Sequence, residues 1–146
     1  EREFYISGDA FVKDWIIKVR NDVPDAPVLV TAGGLLHYFE ENKVISLLRM
    51  IGQSGNMEVV FDTVNKKGMA MMQKKYMKQV GHADVQMFFY VDSAVNLAGK
   101  IGGGLMDMTE EPYYRYIPKN GLKLSTKVSM AVSDRFCMVK MICLNL

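Results

Sequence analysis

The amino-acid sequence predicts an α/β fold with a parallel sheet, on the evidence of two strands and the helix between them. Residues 28–31 form an apolar run without alternation, which is typical of strands buried on both faces, and residues 57–64 form a second buried strand. The apolar residues between the strands recur at the spacing of one helical face, and they are Val44, Leu47, Leu48 and Ile51. A strand, a helix and a strand within about forty residues form a βαβ unit, with parallel strands and a right-handed crossover.

A further strand and helix are predicted before this unit. Residues 4–7 read as a short strand that ends at Gly8, and Asp9 is well placed to cap the helix that follows. The apolar face of that helix consists of Val12, Trp15, Ile16 and Val19. Residues 21–27 contain two prolines and form the turn that leads into the strand at residues 28–31.

The remaining elements follow residue 65. Residues 66–80 form an amphipathic helix rich in methionine and lysine, which is either a lid over an apolar substrate or a core-facing helix with a solvated basic face. Residues 87–92 form an apolar connector or short strand, and Asp92 or Ser93 caps a helix over residues 94–101. We expect residues 105–116 to be extended, residues 121–134 to be helical and residues 135–146 to form a strand.

Length and composition predict one domain over residues 1–146. The net charge of +2 is too small to indicate nucleic acid or an anionic membrane as a partner. No apolar run reaches the roughly 18 residues that cross a bilayer, and the charged first residues are unlike a signal peptide. The two cysteines are expected to be free thiols, so we expect a cytoplasmic protein. Two histidines without a cysteine cluster argue against a zinc site, so no metal is expected.

Candidate ligand-binding residues follow two of the strands. The GxSxG, Walker and GxGxxG motifs do not occur in the sequence. Ligands of open α/β sheets bind at the carboxyl ends of parallel strands, where glycines let a ligand approach the backbone. Ala32, Gly33 and Gly34 therefore form one candidate rim, and Asp9 forms a second. The alternatives are a tight strand-to-helix turn for the glycines and a helix cap for Asp9.

His37 and Tyr38 come one turn beyond the glycine rim. They are candidates to contact a substrate or to position its acceptor oxygen. The alternative is that His37 is a partly buried polar residue and that Tyr38 packs at the start of the helix. His82 and Asp84 form a weaker pair, because no nucleophile lies at a recognisable spacing from them.

The segments "PVLVTAGGLLHYF" and "EVVFDTVN", with the helix between them, carry a family resemblance. They resemble the part of class I S-adenosylmethionine-dependent methyltransferases that follows the fourth strand. The closest similarity is to the leucine carboxyl methyltransferase group, which includes the polyketide-synthesis O-methyltransferases. "SGDAFVKDWI" is similar to that group's segment after the third strand, and "DRFCMVKMICLNL" to its last, antiparallel strand. The resemblance implies a Rossmann-like, mostly parallel sheet and S-adenosylmethionine as cofactor.

The resemblance also implies roles for individual residues. Asp9 and Ala10 would flank the adenine of the cofactor, and Ala32, Gly33 and Gly34 would form the wall near its reacting end. Tyr38 matches a family tyrosine on the substrate side. Gly33 occupies the position of a family glutamate that contacts the cofactor, so that contact is lost or made elsewhere. If the acceptor is a phenol or an enol, His37 is the candidate base, because a histidine pKa near 6.5 suits that task.

The expected function is S-adenosylmethionine-dependent methylation of a carboxylate or hydroxyl oxygen on a small, polyketide-like acceptor. The family's glycine-rich loop and ribose-binding acidic residue would precede Glu1, and the two strands that carry them would lie between residues 4–7 and residues 28–31. We therefore expect the isolated chain to bind S-adenosylmethionine weakly or not at all, and to be inactive. The rival interpretations are a non-catalytic α/β fragment or partner-binding module, and an oxidoreductase with a related dinucleotide fold.

Overall fold

The computed structural model describes residue 3, residues 5–76 and residues 86–146. These residues form helices and strands, with a short 3₁₀ turn at Leu36–Tyr38 and a π-helical turn at Met72–Tyr76. In chain order they are α1 (Asp14–Asp22), β1 (Val28–Ala32), α2 (Glu41–Gly52), β2 (Met57–Val64), α3 (Lys66–Met71), α4 (Ala94–Ile101), β3 (Asp107–Pro112), α5 (Leu124–Arg135) and β4 (Val139–Asn145).

The strands form one mixed sheet in the order β1-β2-β4-β3. β1 pairs with β2 in parallel, with Val28 opposite Met57 and Ala32 opposite Phe61. β4 is antiparallel to both of its neighbours, so β1, β2 and β3 run in one direction and β4 runs in the other. The predicted α/β, Rossmann-like fold class is confirmed, including the parallel pairing and the reversed C-terminal strand.

Helix α2 covers one face of the sheet, which we call the helix face and define by Val59, Phe61, Ile142 and Leu144. The four residues predicted to line the apolar face of α2 are all buried, at 8% exposure or less. They pack into one core with Val59 and Phe61, which are 2% and 0% exposed. Burial of this stripe holds the helix in place, because a helix of this length is marginal in water without tertiary packing.

The opposite face, which we call the open face, carries Leu29, Thr31, Glu58, Val60, Asp62, Met141 and Cys143. The prediction that residues 28–31 are fully buried is wrong, because burial alternates along β1 and Leu29 is 59% exposed. Among the described residues β1 pairs with one strand, β2, and its helix-face side chains are the ones that pack against the core. An uninterrupted apolar run therefore does not show by itself that both faces are covered.

The N-terminal segment differs from its prediction. Phe4 lies outside the described residues, and Tyr5–Ser7 are irregular rather than a strand, since no strand of the sheet pairs with them. Asp9 does not cap α1, whose N-cap is Lys13 without a side-chain bond. Its carboxylate instead accepts a hydrogen bond from the backbone N–H of Phe11 at 2.9 Å, which closes a local turn. Because the helix begins late, Val12 precedes it and remains 44% exposed.

The later elements follow the predicted order, but the segment expected to be extended over residues 105–116 is a strand only at Asp107–Pro112, because residues 113–116 form a turn. Residues 86–91 form a connector without strand structure, one of the two predicted alternatives. Ser93 occupies the N-cap of α4 without a side-chain bond, and the Asp92 carboxylate accepts from the backbone N–H of Lys66 at 2.7 Å instead. Val80 of the predicted methionine-rich helix, and the pair His82 and Asp84, lie outside the described residues. Within the described part of the chain, the helices are too short or too polar to cross a membrane.

Candidate functional site

A cavity of about 290 Å³ lies beside the carboxyl end of β1. Two segments far apart in the sequence line it: the loop with Asp9 and Ala10, and the end of β1 with Ala32. Trp15 and Leu35 supply apolar walls. We call this the apolar cavity. Three of the five residues that the family resemblance assigns to the cofactor, Asp9, Ala10 and Ala32, therefore lie around one space.

The loop that carries Asp9 and Ala10 is fixed by contacts on both sides. The indole N–H of Trp15 donates to the carbonyl oxygen of Ala10 at 2.9 Å, and the Asp9 carboxylate closes the turn to Phe11. The Phe11 ring packs edge-on against Phe39, with ring centroids 4.6 Å apart. Since Phe39 follows the turn after β1, this aromatic pair ties the loop to the strand end, and the two walls of the cavity are held together.

The glycine pair after β1 makes a turn that requires glycine at its second position. Gly34 has a φ of +63°, a left-handed conformation that side chains disfavour. Its backbone N–H donates to Oδ1 of Asp62 on β2 at 2.6 Å. Asp62, which lies on the neighbouring strand, thus stabilises the turn. Asp62 was not among the candidate residues that the sequence suggested; its signal is a carboxylate near the carboxyl end of β2.

A second cavity, of about 410 Å³, lies on the open face at the carboxyl ends of β1 and β2. We call it the Asp62 cavity. Gly33 and Gly34 form its rim, and Val60, Met141 and Tyr113 form its floor and side. Thr31 and Ala32 line both cavities, so both spaces lie beside the carboxyl end of β1.

His37 and Tyr38 are not among the residues that line these two cavities. His37 is 3% exposed, and its carbonyl oxygen accepts from the N–H groups of Phe88 and Phe89 at 2.7 and 3.3 Å. Its side-chain Nδ1 is buried without a hydrogen-bond partner among the described residues. Tyr38 is 39% exposed and packs edge-on against the imidazole at 5.6 Å.

The environment of His37 favours the neutral imidazole. Burial lowers the pKa of His37 below its usual value, because the charged form loses its hydration. The negative charge of Asp62 acts in the opposite direction and raises that pKa, but it is the smaller effect. A neutral imidazole with an unpaired nitrogen has the protonation state of a general base, although the group is enclosed.

The structure therefore groups the predicted residues into two sets. Asp9, Ala10 and Ala32 meet at the apolar cavity, while Gly33 and Gly34 lie with Ala32 at the Asp62 cavity. His37 and Tyr38 stand behind the turn, in contact with each other. The functional roles of these residues remain predictions.

Comparison with known proteins gives a structural likeness only. A DUF574 family protein from Streptomyces avermitilis has a similar structure, with a TM-score of 0.58 and 10% sequence identity over 97% of this chain. This chain covers 54% of the Streptomyces protein, so it spans about half of that chain's length. No family model matches the sequence, and no curated protein matches it. At this identity the likeness shows the fold alone.

Proposed function

We propose that the chain forms part of an S-adenosylmethionine-dependent methyltransferase that acts on an oxygen atom of a small organic acceptor. The observation that supports this proposal is the shared cavity of Asp9, Ala10 and Ala32 at the carboxyl end of β1. Ligands of open α/β sheets bind at this edge. The strand order, with β1 and β2 parallel and the last strand reversed, agrees with the fold that the family resemblance implies.

The apolar cavity fits the adenosine end of the cofactor. Trp15, Leu35 and Leu36 offer apolar surface to a flat ring. The exposed Asp9 carboxylate uses Oδ1 for the local turn, and its other oxygen is an acceptor for an amine or a hydroxyl group. None of the described residues that line this cavity is basic, so it offers no charged partner for the carboxylate end of S-adenosylmethionine. This agrees with the expectation that the isolated chain binds the whole cofactor weakly.

Methyl transfer requires little acid–base catalysis by the protein. The cofactor, when bound, supplies a methyl group that its sulfonium already activates, so the residues of the chain act mainly by orienting the reactants. Gly33 and Gly34 leave the strand end free of side chains, and Asp62 fixes their turn. His37, the candidate base for a hydroxyl acceptor, has a pKa that burial lowers, which favours the neutral imidazole, but it lines neither cavity.

Titration with adenosine tests the proposed cofactor cavity. Trp15 is the single tryptophan of the chain and lines the cavity, so its fluorescence reports on an occupant. We expect a weak but saturable change in Trp15 emission on addition of adenosine. Ala32→Leu places a larger side chain in the cavity and should weaken the affinity for adenosine by on the order of tenfold, a loss of about 1.4 kcal/mol.

Ala131→Leu is the matched control, because Ala131 is exposed on α5 and is not among the residues that line the cavity. The control should bind adenosine like the parent chain. Circular dichroism must show that both variants are folded. A parent chain whose Trp15 emission never saturates, or an Ala32→Leu variant with unchanged affinity, would contradict the proposal.

A second candidate function is a partner-binding α/β module. The observation that favours it is the outer edge of β1, whose sequence VLVTA contains neither a charge nor a proline. Exposed edge strands usually carry such features because they prevent pairing with other chains. The adenosine titration separates the candidates, since a module that only pairs with a partner strand gives no saturable Trp15 response.

A further inference from the structure

We propose that the Asp62 cavity binds the methyl acceptor through a hydroxyl group and excludes acceptors that carry a carboxylate. This inference rests on the proposed function and narrows its substrate class, which the sequence analysis left open between carboxylate and hydroxyl oxygens.

The position of the Asp62 cavity suits an acceptor. Methyl transfer requires the acceptor oxygen to lie next to the methyl donor. Thr31 and Ala32 line both the Asp62 cavity and the apolar cavity proposed for the cofactor, so the two spaces flank the same strand end. Gly33 and Gly34 place no side chain at this strand end.

Asp62 provides a hydrogen-bond acceptor that faces this space. It lines the cavity and is half-buried, and Oδ1 already accepts from the Gly34 N–H at 2.6 Å. Within the described part of the chain, no group donates a hydrogen bond to its second oxygen. An ionised carboxylate only accepts hydrogen bonds, so its ligand must donate one. A hydroxyl group on the acceptor meets that requirement, and an ionised carboxylate does not.

The charges around the cavity also disfavour binding of an acceptor that carries a carboxylate. Among the described residues that line it there is no lysine, arginine or histidine. Glu111 lies in the same row of the open face, opposite Met141, and its carboxylate already holds Arg115 at 2.6 Å. A carboxylate ligand would therefore meet Asp62 without a compensating cation, and like charges at short distance disfavour its ionised form.

The remaining walls define the shape of the acceptor. Val60 and Met141 supply apolar surface, and Tyr113, which is 37% exposed, closes one side with its ring. A volume of about 410 Å³ lies within the range of small-molecule sites. The acceptor that fits is a neutral ring compound with one hydroxyl group.

The test compares β-naphthol with β-naphthoate, which share a ring system and differ in hydroxyl against carboxylate. The Gly34 amide signal in proton–nitrogen correlation spectra is the readout, because its N–H is bonded to Asp62. We expect β-naphthol to shift this signal saturably and β-naphthoate to bind at least about tenfold more weakly. Asp62→Asn keeps an acceptor for the Gly34 N–H but removes the charge. It should lower the affinity for β-naphthol by about fivefold and allow β-naphthoate to bind.

Glu58→Gln is the matched control, since it removes one negative charge from the same strand and the same face but not from the cavity. It should keep the preference for β-naphthol. Equal binding of the two compounds by the parent chain, or an unchanged preference in Asp62→Asn, would overturn the inference. Saturable adenosine binding without β-naphthol binding removes only this inference. The reverse outcome leaves the Asp62 site standing and removes the methyltransferase proposal.

Discussion

The two faces of the sheet differ in how deeply their side chains are buried, although the same strands supply both. On the helix face, Val59 and Phe61 are 2% and 0% exposed beneath α2. On the open face, the intervening residues Val60 and Asp62 are only partly buried, and Leu29 is 59% exposed. Successive residues of a strand point to opposite faces, so alternate positions of β2 serve the core and the proposed acceptor cavity. Stability is therefore expected to depend on one face and ligand selectivity on the other.

The largest difference between the faces should appear when neighbouring residues of β2 are truncated. Phe61→Ala leaves a cavity under α2, and we expect it to lower the free energy of unfolding by about 3–5 kcal/mol. Val60→Ala removes a smaller and half-exposed side chain, so we expect a loss of no more than about 1 kcal/mol. Urea unfolding followed by circular dichroism measures both changes.

The order of these two losses is what the comparison predicts. Similar losses for the two variants would mean that the open face is covered as well as the helix face in solution. Equal slopes of the unfolding curves against urea would show that the substitutions act on the folded state rather than on the compactness of the unfolded chain.

One corner of the open face is closed by α3, and here a single glycine determines the packing. Val64 and Met69 are buried together, and a Cβ atom on Gly68 would lie 2.4 Å from the carbonyl oxygen of Met138. Gly68→Ala should therefore force α3 away from the sheet and cost about 1–3 kcal/mol. Thermal unfolding of the variant measures the loss.

Gly99→Ala provides the contrast to Gly68→Ala. Gly99 is exposed in α4, and a Cβ atom there meets nothing within 4 Å. The substitution should stabilise the protein by about 0.5–1 kcal/mol, because alanine is the better helix former. A Gly68→Ala variant as stable as Gly99→Ala would show that α3 does not rest on the backbone at Met138.

The sequence was sufficient for the elements that local pattern determines. The bounds of β2, the parallel pairing with β1 and the buried stripe of α2 were all predicted, since apolar spacing and the crossover rule specify them. The exposure of Leu29 was not predicted, because a run of apolar residues does not show whether a second layer covers the strand. The strand expected at residues 4–7 failed for a related reason, since a strand requires a hydrogen-bonded neighbour.

The candidate site was predictable only in part. Asp9 and Ala32 were selected because they follow predicted strands, and Ala10 was added by the family resemblance. Their shared cavity depends on the folding together of two distant segments. Asp62 was missed, because its role depends on the Gly34 N–H, which lies 28 residues earlier in the chain. The register that places Ala32 opposite Phe61 brings these two groups together.

The smallest expected effect concerns His37, which is buried and whose pKa the charge of Asp62 influences. Burial lowers the pKa of His37 in the folded protein, so the unfolded chain binds a proton more readily. The stabilising effect of the buried neutral imidazole is fully present above the ordinary histidine pKa of about 6.5, and it is lost as the pH drops from there toward the folded pKa.

His37→Gln should flatten this part of the curve of unfolding free energy against pH, while His82→Gln controls for the other histidine in the sequence. Asp62→Asn removes the charge that opposes the shift, so it should lower the pKa of His37 further and extend the loss of stability to lower pH. If the unfolding free energy of the parent chain does not change with pH through this range, or changes as it does in His37→Gln, the imidazole is hydrated in solution and is not enclosed by the fold.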